Sequence, residues 1–228
     1  MFTPQLADYD GDGRPDLISG SDCCTVGCFY VFRRLKDGEF APRKQINFVF
    51  PRQQFGPVPT ESLKSRIAVA DLNGDGKSDV LIGSRHLPTF GVVYGPLADQ
   101  DELTVQRLWP RGEEPFPSST FEFMDVNPVL ADWDGDGLSD LILVSHLSPD
   151  GSRRSGVYWC RNVGTKRLAK FGAAQLLVAD EARTQTTGIC VADWNGDGRP
   201  DLIASRIERD KETGRRHQKV WVYLRRGG

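Results

Sequence analysis

The chain has 228 residues, 39% of them hydrophobic and 26% charged, with a formal net charge of −2. That is the balance of an ordinary soluble protein with enough apolar residues to bury a substantial core. No apolar run is long enough to cross a bilayer, which argues against membrane insertion; acids interspersed among the arginines, with no nucleic-acid motif, argue against a nucleic-acid partner.

In chain order, residues 4–7 are the first strand candidate and lead into DYDGDGRPD at 8–16; residues 17–20 leave it as an aliphatic run. A loop with Cys23, Cys24 and Cys28 follows, then the aromatic strand CFYVFRR and the strand QINFVF at 45–50. A connection at 51–65, rich in Pro, Phe and Ser, brings the chain to 66–70, where the order recurs: DLNGDGKSD, a strand at 80–83, GVVYG, and LTVQRLW at 103–109. A similar connection at 109–126 precedes the third round, with strands at 127–131 and 141–144, GVYWCRN and AQLLVA at 174–179 around DWDGDGLSD. The fourth round has strands at 188–192 and 202–204 around DWNGDGRPD and ends on KVWVYLRR, with no fourth strand. The loops start 63, 61 and 61 residues apart. Such a period, with several short strands per unit and no helical pattern, predicts an all-β propeller of about four blades in a single domain over 1–228. Four antiparallel strands are expected in each blade, with a three-stranded last blade as the alternative; the repeats run approximately 1–63, 64–126, 127–187 and 188–228. A compact four-bladed ring is expected, with a piece of a longer propeller as the alternative.

The nine-residue loop predicts a calcium site. Calcium takes about six to eight oxygen ligands, carboxylates among them. Positions 1, 3, 5 and 9 supply Asp8, Asp10, Asp12 and Asp16; Asp71, Asn73, Asp75 and Asp79; Asp132, Asp134, Asp136 and Asp140; and Asp193, Asn195, Asp197 and Asp201. The carbonyl of position 7 (Arg14, Lys77, Leu138, Arg199) adds another oxygen, and glycines at positions 4 and 6 let the chain wrap tightly. One copy would suit a plain Asx-rich turn; four copies with every ligand position filled point to about four structural Ca²⁺ ions. The two loops with Asn at position 3 are expected to bind more weakly. The loop is not an EF-hand, because position 12 (Ser19, Ile82, Leu143, Ala204) offers no Glu and lies in a strand. The residue at position 2 (Tyr9, Leu72, Trp133, Trp194) is expected to pack between blades rather than stack on a ligand.

The pattern ADxDGDGxxDLL followed by GxVYxFRN resembles the FG-GAP/VCBS repeat, the integrin-α-like propeller repeat, over nearly the whole chain. The resemblance implies a β-propeller whose calcium loops join the first and second strands of each blade. It also implies an extracellular, periplasmic or cell-surface setting, and roles in adhesion, carbohydrate binding or protein contacts. Many members have seven blades; this chain departs from them with four repeats.

Function is expected on the face opposite the calcium loops, built by the irregular connections at 22–27, 85–90, 146–155 and 206–218. Arg85, His86, His146 and Arg206 are the ligand-face candidates, with Phe90, Arg153 and Arg154 beside them. The expected role is a calcium-stabilised binding, adhesion or protein-interaction module for a protein or glycan, without catalysis, in a longer chain or assembly if the ring is incomplete. The alternative is a carbohydrate-active enzyme, or its sugar-binding accessory domain, using the same face. A disulfide from Cys23 or Cys24 to Cys28 would fit an oxidising compartment; Cys160 and Cys190 read as buried free thiols.

Overall fold

The computed structural model describes residues 4–21, 27–58, 65–84, 87, 89–114, 128–145 and 155–225. It is an all-β protein whose four small sheets are the blades of a propeller. Blade one contains β1 (Pro4–Ala7), β2 (Asp16–Gly20), β3 (Cys28–Phe32) and β4 (Lys44–Val49), in antiparallel order. Blade two contains β5 (Arg66–Ala70), β6 (Asp79–Gly83), β7 (Gly91–Val93) and β9 (Gln106–Arg107). Blade three contains β10 (Pro128–Ala131), β11 (Asp140–Ser145), β12 (Gly156–Asn162) and β13 (Phe171–Ala179). Blade four has three strands, β14 (Thr184–Ala192), β15 (Asp201–Arg209) and β16 (Arg216–Tyr223). One short helix, α1 (Arg52–Phe55), follows blade one.

The core lies between blades, not inside any one of them. Successive side chains on a strand point to opposite faces, so each middle blade serves two interfaces. Leu141 and Leu143 of β11 pack back against Leu81 and Phe90 of blade two. Ile142 and Val144 of the same strand pack forward against Ile189, Leu202 and Ala204 of blade four. This is why β6 and β11 are buried at every position and read as continuous aliphatic runs rather than alternating ones. Between blades one and two the cluster is the largest, with Phe29 and Phe48 stacked at 5.1 Å and Ile46, Ile67 and Ile82 around them.

Three expectations need correction. The fourth strand expected at 103–109 is two strands on two blades. Residues in β8 (Glu102–Thr104) run parallel to β4 as a fifth strand of blade one, and β9 pairs with β7 of blade two. The crossing point is Val105, fully buried in the cluster between the blades. Its side chain occupies the space a Cβ at residue 91 would need, so Gly91 permits the crossing. Next, the segment 206–218 is not an irregular connection. The strands β15 and β16 continue through it as a long hairpin, paired from Leu202–Tyr223 to Arg209–Arg216, and only a short turn joins them. Its charged residues hid a strand pattern carried by Ile203, Ile207, Val220 and Val222. Finally, Cys190 is exposed, whereas Cys160 is buried, as expected. Burial pushes the Cys160 thiol up to about 12.

The hairpin also relocates Arg206. It lies inside β15, only 5% exposed, and donates to the Tyr223 hydroxyl at 2.7 Å, the Ala179 carbonyl at 3.1 Å and Asp180 at 3.0 Å. It therefore ties blade four to the end of β13 and does not stand on an open face. Burial raises the Asp180 carboxyl, but hydrogen bonds from Ser155, Thr186 and Arg206 outweigh it and hold the group below its ordinary value. A lowered carboxylate contributes stability above its unfolded pKa of about 4, and that contribution disappears as pH falls through the folded value. Arg206→Met would leave Asp180 charged and buried, at an expected cost of about 3–5 kcal/mol. Urea unfolding at neutral pH reads this directly; a loss under about 1 kcal/mol would place the pair among surface-like ion pairs.

Candidate metal centre

All four Asp-rich loops join the first and second strands of a blade, at one rim of the molecule. The loop closes because its first Asp caps the turn. Asp8 Oδ1 accepts from Gly11 N at 2.8 Å and Asp8 Oδ2 from Gly13 N at 2.9 Å; Asp71, Asp132 and Asp193 do the same at 2.7–2.9 Å. Position 3 accepts from the N–H of position 5, and position 5 from that of position 7, in every copy. These bonds need left-handed backbone at positions 4 and 6, where each residue is Gly with φ between 69° and 86°.

Position 9 has a second role that the loop pattern alone does not reveal. Asp16, Asp79, Asp140 and Asp201 are each fully buried as the first residue of the second strand. One oxygen accepts from the N–H of position 2 (Tyr9, Leu72, Trp133, Trp194) at 2.8–3.1 Å. The other accepts from the N–H that ends the third strand, on Arg34, Gly95, Asn162 or Arg225, at 2.6–2.8 Å. One carboxylate thus fastens the loop to its blade. Burial raises the carboxyls of Asp16, Asp79 and Asp140, and the neighbouring loop carboxylates raise them further. A cation in the loop would oppose that shift.

The acidic groups converge. Oxygens of Asp8, Asp10 and Asp16 lie within 4.8 Å of one another, as do those of Asp132, Asp134 and Asp136. Asp10 Oδ2 is shielded from solvent and accepts no hydrogen bond; its charged neighbour is the Arg33 guanidinium. In the other two loops Asn takes the third position and donates to position 5, Asn73 to Asp75 at 3.3 Å and Asn195 to Asp197 at 2.9 Å.

Arginines meet the loop carboxylates unevenly, with Arg14 on Asp12 and Arg199 on Asp197 from within loops one and four. Where position 3 is Asp, an arginine ends the third strand and meets it: Arg33 on Asp10, and Arg161 on Asp134 at 2.6 Å and on Asp136 at 3.0 Å. Where position 3 is Asn, the corresponding residue is Tyr94 or Leu224. The extra carboxylate of loops one and three therefore arrives with its own cation. The signal was present in the sequence, as FRR and CRN against VYG and YLR, but only pairing of the third strand with the loop gives it meaning.

Position 2 packs forward onto the next blade in three copies. Tyr9 is buried in the first interface and donates to the Leu97 carbonyl at 2.9 Å; Leu72 is buried in the second and Trp133 partly in the third. Trp194 is 63% exposed. Of the ligand-face candidates, Arg85, His86 and His146 lie outside the described residues, as do Arg153, Arg154, Cys23 and Cys24. Cys28 is disulfide-bonded. At the rim opposite the loops, Arg183, Arg209 and Arg216 surround Ile207 and Gln185 in a cavity of about 140 Å³. No helix among the described residues is long and apolar enough to cross a membrane.

The family model of the FG-GAP-like repeat matches residues 8–82 and 118–204. A phosphatidylinositol-glycan-specific phospholipase D from Rattus norvegicus is 24% identical over 212 residues, covering 83% of this chain but 23% of its own length. Among solved structures, the BT0996 RGII complex superposes with a TM-score of 0.53 at 10% identity, over 96% of this chain and 69% of that one. A lectin from Agrocybe aegerita that recognises non-reducing terminal N-acetylglucosamine gives a TM-score of 0.49 at 19% identity, over 97% and 51%. The chain thus spans about a quarter of the curated relative and half to two thirds of these structures.

Proposed function

We propose that this chain, which belongs to the FG-GAP-like repeat family, is a calcium-stabilised binding module that holds one structural Ca²⁺ in each of its four loops. The observation that carries the reading is the convergence of three carboxylates in a single loop, at Asp8, Asp10 and Asp16 and again at Asp132, Asp134 and Asp136. Oxygen-only donor sets of this kind suit a hard cation such as Ca²⁺. Ligands are the side chains of positions 1, 3, 5 and 9 with the carbonyl of position 7. The ion supplies charge neutralisation; the chain's own residues cap the turn and fasten it to the blade.

Recognition belongs to the face opposite the loops. The loop rim is explained by metal and turn in every repeat, whereas the opposite rim differs from blade to blade. Among its described residues, Arg183, Arg209 and Arg216 set three cations around Thr184, Gln185 and Ile207. Such a cavity suits a saccharide bearing acidic groups, since guanidinium groups pair with carboxylates in a fixed fork geometry. The rat relative's specificity for a phosphatidylinositol-glycan points the same way; its phospholipase activity is not carried over, and no catalytic step is assigned to this chain. The disulfide at Cys28 supports an extracellular or periplasmic setting.

A glycan array probed in calcium tests this. Acidic oligosaccharides should bind, and Arg209→Ser with Arg216→Ser should reduce binding at least about tenfold, the scale of one or two lost charged contacts, while calcium loading is unchanged. Binding confined to neutral sugars, or unaffected by the double variant, would contradict the saccharide reading; capture of a protein ligand alone would replace it.

A further inference from the structure

Blade three carries a hairpin that metal and turn do not account for. Residues 163–170 join β12 to β13, starting where the Asn162 N–H meets Asp140, and so stand on the loop rim. The hairpin is held stiffly. The side-chain oxygen of buried Asn162 accepts from Gly164 N at 3.1 Å and Lys170 N at 3.0 Å, and Thr165 N donates to the Leu168 carbonyl at 3.0 Å. Its turn leans on the preceding blade. A Cβ at Gly74, in loop two, would lie 2.2 Å from the Lys166 carbonyl oxygen, so glycine there admits the hairpin as well as the turn. Just before the hairpin, Arg161 pairs with Asp134 and Asp136 of loop three. The hairpin thus sits between loops two and three.

What it presents to solvent is apolar and basic. Thr165 faces Leu168 across the hairpin, and Val163 N donates to the Lys170 carbonyl at 2.7 Å. This register puts Val163, Thr165, Leu168 and Lys170 on one face, while Ala169 on the other packs into the core between blades two and three. Val163 is 55% exposed and Leu168 64%. Blades two and three are each flanked by a blade on both sides, and Leu176 is the other exposed large apolar residue among their described residues. Lys166, Arg167 and Lys170 are exposed beside the two aliphatic side chains, and among the described residues none of the three meets a carboxylate. Calcium decides the sign of this patch. Loops two and three contribute seven carboxylates, and Lys77, Arg161 and the hairpin's three cations offset five of them. Without calcium two negative charges remain in excess; two Ca²⁺ ions bring four positive ones and leave an excess of two positive charges.

We propose that this hairpin docks the chain on an anionic lipid surface when loops two and three hold calcium, an inference that rests on the calcium reading of those loops. A lipid surface takes both halves of the patch at once: Lys and Arg gain from the anionic headgroups, and Val163 and Leu168 leave water for the acyl boundary. A soluble acidic polymer would engage the cations and give Leu168 nothing. Without calcium the carboxylates of the two loops repel the same surface. The contact is peripheral, crosses no bilayer, and leaves the opposite rim free for a saccharide. Three cations and two aliphatic side chains give reversible binding rather than a permanent anchor.

Flotation of the full chain with vesicles of phosphatidylcholine, pure or mixed with phosphatidylserine, tests this, with the calcium content of the same protein read by native mass spectrometry. In calcium the chain should float with the phosphatidylserine vesicles; it should stay behind with pure phosphatidylcholine, and in EGTA. Leu168→Ser should weaken binding about tenfold, the scale of one aliphatic side chain returned to water. Lys166→Gln with Arg167→Gln should weaken it roughly twentyfold, at about fivefold per cation. These sites are exposed, so the variants should keep the parent's melting temperature and calcium content. Arg209→Ser with Arg216→Ser, on the opposite rim, should bind vesicles as the parent does. A calcium-loaded chain that ignores phosphatidylserine vesicles would overturn the docking and leave the calcium reading standing; a chain that neither loads calcium nor floats would overturn both. Flotation that persists in EGTA, or that neither hairpin variant weakens, would also overturn the docking.

Discussion

Chelating calcium should lower the melting temperature of this protein by roughly 20 °C or more. An ion that binds only the folded state stabilises it by mass action, at about 2.7 kcal/mol per site when free calcium is a hundredfold above the dissociation constant. Four such sites contribute on the order of 10 kcal/mol, comparable with the whole stability of an ordinary domain. The contribution is that large here because the loops are the hairpin connections of all four blades, and each blade's core is shared with its neighbours. A loop that splays exposes two interfaces. The arginines on Asp10, Asp12, Asp134 and Asp197 blunt the repulsion without abolishing it, since they are partly exposed and screened. A thermal melt in EGTA against one in millimolar calcium reads the difference; coincident curves would mean that the loops stand without an ion.

The second large effect separates ligand from fastener. Asp136 and Asp140 belong to the same loop, but Asp136 faces solvent while Asp140 is fully buried. Asp136→Ala should remove one calcium and the stability that goes with it, about 2–3 kcal/mol in calcium, and should change little in chelator. Asp140→Ala also strips the acceptor from two backbone donors, Trp133 N at 3.1 Å and Asn162 N at 2.6 Å. Each orphaned donor costs about 1–3 kcal/mol, so this variant should lose about 2–6 kcal/mol even in chelator. Equal behaviour of the two variants in chelator would reduce position 9 to a ligand.

The loops were legible because calcium and tight turns impose the same residue at the same place four times. Their neighbours in the blade were less so. The strand before and after each loop could be read from short aliphatic runs such as DVLIG and DLILVS, because strands buried on both faces need no alternation. Val105 shows the limit. Nothing local distinguishes a strand that changes blades at its centre from one that does not, and the reason lies at Gly91, a residue in another strand. Arg206 shows another. In sequence it is one charge in a run of charges, and only the register with Lys219 and Thr186 turns it inward onto Asp180. Trp194 reads identically to Trp133, yet Trp194 is exposed whereas Trp133 packs on blade four.

The central claim is one calcium per loop, and native mass spectrometry tests it most directly. After equilibration with calcium and removal of excess salt, the intact chain should retain about four ions, and Asp136→Ala about three, as expected for independent oxygen-donor sites. A chain that carries no calcium above the level of nonspecific adducts would contradict the account, and the loops would then be hydrogen-bonded turns alone.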